Sequence, residues 1–441
     1  MIKLSDHFTY KRLFKFTYSS ILMLLFTSIY GIVDGFFVSN YVGKTHFAAL
    51  NFIMPVLMIL GCIGFMFGTG GSAIISKLFG ENDKQKANEI FSMNIVVSII
   101  LSIILGTLGF IFLPQIGYLL GARDQMLSYA VLYGRIIISA LPFYILQYEF
   151  QCLFATSEKP KMGLYVTLAA GFTNMILDWL FVGVLSFGLA GAAVATAISQ
   201  FVGGIIPLIY YLRKNTSLLR LCKFKFDGKS LLKTCTNGSS EFMSNISTSL
   251  VSMLYNYQLM KYAGENGVSA YGVLMYVSMI FQAIFIGYSV GVAPIVGYNY
   301  GSNNTTELKS VLKKSFVIII MCSVLMFLAG EILSRPLTQI FVGYDEELLS
   351  LTTKAFKIFS FCFLFSGISI FGSSFFTALN NGIISAIISF LRCLVFQVIA
   401  VIVFPLIWKI DGIWFSIVFA ELMSICTTIC FLIAKKKKYN Y

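Results

Sequence analysis

Charge is what this chain has least of. Only 12% of its 441 residues are Asp, Glu, Lys or Arg, against about 25% in an ordinary soluble domain, so a water-soluble enzyme is excluded at the outset. Histidine is nearly absent: His7 and His46 are the only two, which leaves no HExxH metal site. Nine cysteines occur, mostly inside apolar runs and never as CxxC. They read as small hydrophobes rather than as a disulfide framework or a zinc ribbon. Gly43-Lys44-Thr45 and Gly228-Lys229-Ser230 resemble the tail of a phosphate-binding loop, but Val38 and Lys223 stand where its first glycine belongs. ATP-driven work is therefore not expected. An embedded enzyme would have only scattered carboxylates to work with.

What is there is apolar length. Hydrophobic residues make up 58% of the chain and the mean hydropathy is +0.84. Runs able to cross ~30 Å of hydrocarbon fall near 16–39, 48–78, 90–113, 126–155, 162–184 and 188–212. Six more fall near 235–260, 268–298, 310–330, 350–379, 383–405 and 412–434. The expected fold is an all-α polytopic membrane protein with twelve transmembrane helices. The first run lacks a small-residue cleavage site, so it reads as a span and not as a signal peptide.

The net charge of +13 is explained by where the charges sit. With residue 1 on the cytoplasmic side, inside loops and tails hold 23 of the 32 lysines and arginines, and outside loops hold five. This is the positive-inside pattern. Both termini are expected in the cytoplasm, and a nucleic-acid partner is not expected. The stretch 213–233 is the most basic loop and the natural linker between a first lobe, residues 1–212, and a second, residues 234–441.

The two lobes repeat. A shift of 221 residues lays Tyr41, Gly43, Ala49, Met54, Met58, Gly70, Gly80 and Asn82 on Tyr262, Gly264, Ala270, Met275, Met279, Gly291, Gly301 and Asn303. A shift of 222 sets FATSEKP at Phe154 against FTALNNG at Phe376. Two six-helix halves of even span number share orientation, so the repeat is parallel, and a central cleft serves alternating access.

Ionisable residues within spans cost about 2.5–3.5 kcal/mol each on insertion scales. Here they are Asp34, Glu149, Asp178, Glu241, Glu421, Arg135 and Arg392, with Glu331, Lys354 and Lys357 nearer the span ends. Glu149, Glu241, Glu331, Glu421 and Lys354 are read as close enough to an end to be solvated, and Arg135 and Arg392 as neutralising an acid or capping a carbonyl. Asp34 and Asp178 differ. Each lies about seven residues, or ~10 Å, before the outer end of its helix. Asn174 is one turn before Asp178, and Thr196 and Tyr133 reach the same depth on neighbouring helices. Two carboxylates, an amide, a hydroxyl and a phenol offer hard oxygen ligands for Na⁺, or a carboxylate pair that shares a proton. The glycine clusters at Gly64 to Gly71 and Gly287 to Gly291 are read as packing surfaces.

Several stretches carry a family likeness: VDGFFVSNYVG from Val33, KLFGENDKQKA from Lys77, TNMILDWLFV from Thr173, GLAGAAVATAISQ from Gly188 and YNYGSNN around Asn299. They resemble the multidrug and toxic compound extrusion (MATE) transporters, nearest to the DinF-like branch and its MepA-like bacterial members. The resemblance implies antiport, with cationic or amphipathic drugs exported in exchange for Na⁺ or H⁺. It assigns cation or proton coupling to Asp34, Asn174, Asp178, Thr196 and Tyr133, with Asp34, Asp178, Asn174 and Thr196 as the possible Na⁺ ligands. The second-lobe acids of the NorM-like branch fall near Ser249 and Ser369 here, so no such site is carried over to that lobe. Nor is a proline-driven bend of the first span, since Ser19 holds that place.

The expectation is a monomeric multidrug antiporter of a bacterial plasma membrane. Its partners are organic cations and the bilayer, and it needs no cofactor beyond the coupling ion. A lipid-linked saccharide flippase is the alternative; it would need a more cationic cleft.

Overall fold

The computed structural model describes residues 2–42, 44–343 and 345–441. Gly43 lies outside them, as do the side chains of Lys44 and Thr45, so the repeat match at Gly43 and the Gly43-Lys44-Thr45 motif have no structural counterpart here. Among the described residues there is no strand.

In chain order the helices are α1 (Tyr10–Phe37), α2 (Lys44–Gly80), α3 (Lys84–Leu120), α4 (residues 124–156), α5 (Pro160–Asp178) and α6 (Gly188–Leu212). A linker over residues 213–227 leads to Gly228–Gly301, which is broken at Gly264 into α7 and α8. Then come α9 (Thr305–Val342), α10 (residues 346–378) and Gly382–Tyr439, broken at Lys409 into α11 and α12. Twelve spans result among the described residues. Two are bent: α4 by 61° between Asp124–Ser139 and Leu141–Thr156, and α10 by 46° between Glu346–Ser360 and Cys362–Ala378. α1 runs unbroken for 28 residues, in keeping with serine at position 19.

The repeat survives in the turns. Asn82 and Asn303 share a left-handed backbone (φ 63° and 54°), and so do Glu158 and Asn380 (φ 59° each). These are the loop positions matched by shifts of 221 and 222. Asparagine tolerates that conformation better than most residues, which explains its use at three of the four places.

The turns at 80–84, 157–160, 301–305 and 378–382 lie at one end of the bundle, the base, and the breaks at Gly264 and Lys409 lie at the other, the rim. The lobes are joined at the base. A Cβ on Gly80 would collide with the Tyr298 carbonyl, and one on Gly301 with the Lys77 carbonyl. Only glycine allows backbones to come this close. Higher up, Gly70 and Gly238 repeat the device against Thr234 and Met66. Asn380 Nδ2 donates to the Ala73 carbonyl at 3.0 Å, and Asn237 Nδ2 donates to Asn380 Oδ1 at 2.8 Å. Toward the rim, Gly31 on α1 and Gly272 on α8 have nothing within 4 Å of where a Cβ would stand.

Residues ahead of α1 fasten the base further. Leu4 and Phe8 are fully buried. The Leu4 amide donates to Glu158 Oε1 of the first lobe at 2.7 Å. The Phe8 amide donates to Glu307 Oε1 of the second lobe at 2.8 Å, and His7 Nδ1 lies 2.6 Å from Glu307 Oε2.

Candidate functional site

Asp34 sits near the end of α1, and Asp178 is the last residue of α5. Each precedes a π-helical turn, Val38–Val42 and Trp179–Val184 respectively, a distortion frequent at functional positions. The side chains are 6% and 0% exposed, and the two carboxyls are close neighbours. Asp34 Oδ1 and both Asp178 oxygens have no hydrogen-bond partner among the described residues. Asn174 is buried one turn below, and its Nδ2 donates to Thr196 Oγ1 on α6 at 3.4 Å. The Tyr133 hydroxyl on α4 is fully buried, faces Thr196 and both acids, and meets none of them in hydrogen-bond geometry. All five residues singled out from the sequence therefore lie together inside the first lobe.

Three neighbours escaped the sequence reading. Tyr30, one turn before Asp34, faces it and accepts a 3.4 Å hydrogen bond from Gln147 Nε2. Gln200 is one turn after Thr196, with a buried and unpartnered Oε1. The i±4 spacing from Asp34 and Thr196 was the available signal for Tyr30 and Gln200. Gln147 is on another helix and carried none.

The remaining intramembrane charges divide. Arg135 caps the Phe110 carbonyl at 3.3 Å and covers the Phe110 ring, and Arg392 is paired with Glu421, both as expected. Glu149 and Glu421 depart from expectation. Neither is solvated at a span end: Glu149 is fully buried with Ser98 Oγ donating to it at 2.6 Å, and Glu421 is buried against Arg392.

The matching places in the second lobe hold no acid. Tyr255, the repeat counterpart of Asp34, is buried and satisfied, donating to Gln397 Oε1 at 2.6 Å with Ser416 Oγ at 2.9 Å. Ala400 stands where Asp178 would be. Gly287-Tyr288-Ser289-Val290-Gly291 has the spacing of a nucleophile elbow, which requires a strand-to-helix turn. Here it lies in the middle of α8, with Gly287 on Ile21 and Gly291 on Thr17. It is a packing surface.

A sequence model of the MatE family matches residues 19–180 and, a second time, residues 242–403. The chain belongs to the MatE family. The double match falls on the two lobes and establishes their common plan. Over 85% of its length the chain is 27% identical to the multidrug export protein MepA of Staphylococcus haemolyticus, covering 82% of that protein. It is 25% identical to MepA of Staphylococcus aureus (strain MRSA252), covering 96% of this chain and 93% of that one. These relatives put it in the MepA-like branch. A crystal structure of MATE in complex with MaL6 superimposes with a TM-score of 0.93 at 19% identity, covering 98% of both chains. An outward-facing multidrug resistance MATE family transporter of the MOP superfamily gives 0.93 at 18%, covering 98% of this chain and 97% of that one. The fold is that of a polytopic MATE transporter.

Proposed function

We propose that this MatE protein is a secondary active multidrug exporter that expels cationic and amphipathic organic compounds in exchange for Na⁺ or H⁺ by alternating access. The observation that carries the reading is the Asp34–Asp178 pair, two dry acids face to face with three unpartnered oxygens. Two like charges at that range cannot both stay ionised without a proton or a cation between them. Asn174, Thr196 and Tyr133 add neutral oxygens, which suits Na⁺; a proton needs only the carboxylates. The multidrug-export names of the MepA relatives support the same reading.

In this proposal the base faces the cytoplasm of a bacterial cell, because its turns and tails hold most of the lysines and arginines. The protein works as a monomer without a cofactor, and the cation that enters from the rim side loosens the hold on the drug. A saccharide flippase is the poorer fit, since Arg392 in the second lobe is already engaged by Glu421.

The test is efflux. Cells expressing the protein should accumulate less ethidium than empty-vector cells, and purified protein in liposomes should move it when a Na⁺ or pH gradient is imposed. Equal accumulation across a range of organic cations would refute export.

A further inference from the structure

Arg135 stands on the part of α4 that runs from the rim to the bend, eleven residues after Asp124 and so ~16 Å along the helix axis. A proline on α3 fixes its place. Pro114 lies inside that helix and has no N–H to offer the carbonyl four residues before it, that of Phe110. Arg135 Nε donates to this carbonyl instead, at 3.3 Å, and its guanidinium covers the Phe110 ring, 4.9 Å from the centroid. One of five N–H donors is thereby used. The rest make no hydrogen bond among the described residues, and no acid there comes within ion-pair distance of Arg135.

Arg135 lines an open groove of about 390 Å³ between α3 and α4. Phe110 forms one wall, and Ser128, Leu132, Arg135 and Ser139, successive turns of one helix face, form the other. A second groove of about 330 Å³ shares Phe110 and Ser139 with the first and reaches Pro142 beyond the bend, between Ile103 and Ile138. Ile103, Phe110 and Leu132 are exposed apolar side chains, so in a membrane this face meets lipid. A cation placed there needs a counter-charge. The protein supplies none, and a phospholipid headgroup can.

We propose that the groove binds one anionic glycerophospholipid of the rim-side leaflet, of the phosphatidylglycerol kind. The free end of the guanidinium takes two phosphate oxygens in fork geometry, and an acyl chain lies in the second groove. Ser128, two turns nearer the rim, has given its own proton to the Asp124 carbonyl at 3.3 Å. Its oxygen is left as an acceptor, which suits a headgroup hydroxyl. A zwitterionic headgroup fits less well, because its ammonium restores the positive charge that the phosphate removes. The site is separate from the Asp34–Asp178 pair, and its failure would leave the export reading untouched.

The experiment titrates purified full-length protein in detergent with phosphatidylglycerol, or with phosphatidylcholine of the same chains, and counts bound lipids by native mass spectrometry. Lysines at the base can attract phosphatidylglycerol too, so the readout is the difference between proteins. Arg135→Gln should bind one phosphatidylglycerol fewer than wild type, that step being weakened at least fivefold, with phosphatidylcholine unchanged within twofold. Arg135→Lys keeps the charge without the fork and should fall between. Leu132→Trp fills the groove with Arg135 in place and should lose the same lipid, which keeps the test readable if R135Q does not fold. Excess inorganic phosphate should not displace it. An unchanged count in R135Q or in L132W overturns the site, as does a wild type with no preference for phosphatidylglycerol. Displacement by inorganic phosphate would make the ligand a free anion and overturn it as well. So would wild-type dimers that R135Q turns into monomers, which would give the groove to a second copy of the chain.

Discussion

Gly80 and Gly301 are the same residue of the repeat, and each rests on the other lobe at an equivalent place. Gly80 lies on the Tyr298 carbonyl and Gly301 on that of Lys77; Lys77 and Tyr298 are themselves 221 positions apart. The base seam is therefore self-complementary, like the interface of a symmetric dimer. For the base to open, both contacts must part together.

Gly301→Ala should wedge this seam, because the added methyl meets backbone that cannot rotate away. A loss of ~1–3 kcal/mol is expected for such overpacking, together with longer distances between spin labels placed across the base. Gly80→Ala should act alike. Unchanged unfolding temperature and unchanged distances in both variants would show that the seam yields at no cost.

Asp34→Asn and Asp178→Asn should each bring ethidium efflux down to the empty-vector level, whereas Glu241→Gln should keep at least part of it. The two lobes repeat in fold and not in charge, since Tyr255 and Ala400 occupy the corresponding places. Cellular ethidium accumulation, with expression matched, reads the ranking. The reverse order would move coupling to the second lobe.

Drug affinity of the purified protein should fall as Na⁺ is added at fixed pH, or as pH is lowered without Na⁺. Both ions occupy the same carboxylate pair in the proposed cycle, and the weakening must be reciprocal between ion and drug. Equilibrium titrations measure it. If neither ion shifts the affinity, or if D34N retains the full shift, the pair does not couple transport.

At the base, burial raises the Glu158 carboxyl above the usual glutamate range, with the Leu4 amide pulling it the other way. Glu158 with residue 4 seated thus binds its proton more tightly than a free glutamate does. Seating should be strongest below the ordinary glutamate value and weaken as pH rises through the raised one. Hydrogen-exchange protection of residues 4–8, corrected for intrinsic rates, should decline over that window. Glu158→Gln should flatten the decline while keeping an acceptor for the Leu4 amide; a decline that persists in E158Q would assign it to another group.

Much of this was legible in the sequence because spans, repeat and charge placement are local or periodic. The twelve runs, the 221-residue shift and the shared depth of Asp34 and Asp178 need only the rise of a helix and the thickness of a bilayer. Direction changes within spans were not read. Pro142 directly follows Ser139-Ala140-Leu141 and is the available signal for the 61° bend there, whereas none of the π turns has a composition of its own. The contacts of His7 and Phe8 with Glu307 were out of reach for another reason: they join residues 300 and 299 positions apart, with no motif at either end.

That separation sets an order on synthesis. Leu4 and Phe8 leave the ribosome early, yet Glu307 is translated only after eight spans have been laid into the membrane. At roughly 5–20 residues per second, Phe8 waits tens of seconds for its partner. During that interval two apolar side chains, buried in the finished protein, must be kept from mispairing by lipid or by a chaperone. The base thus cannot close until the start of the ninth helix has been made, and its Asn380–Ala73 contact waits longer still.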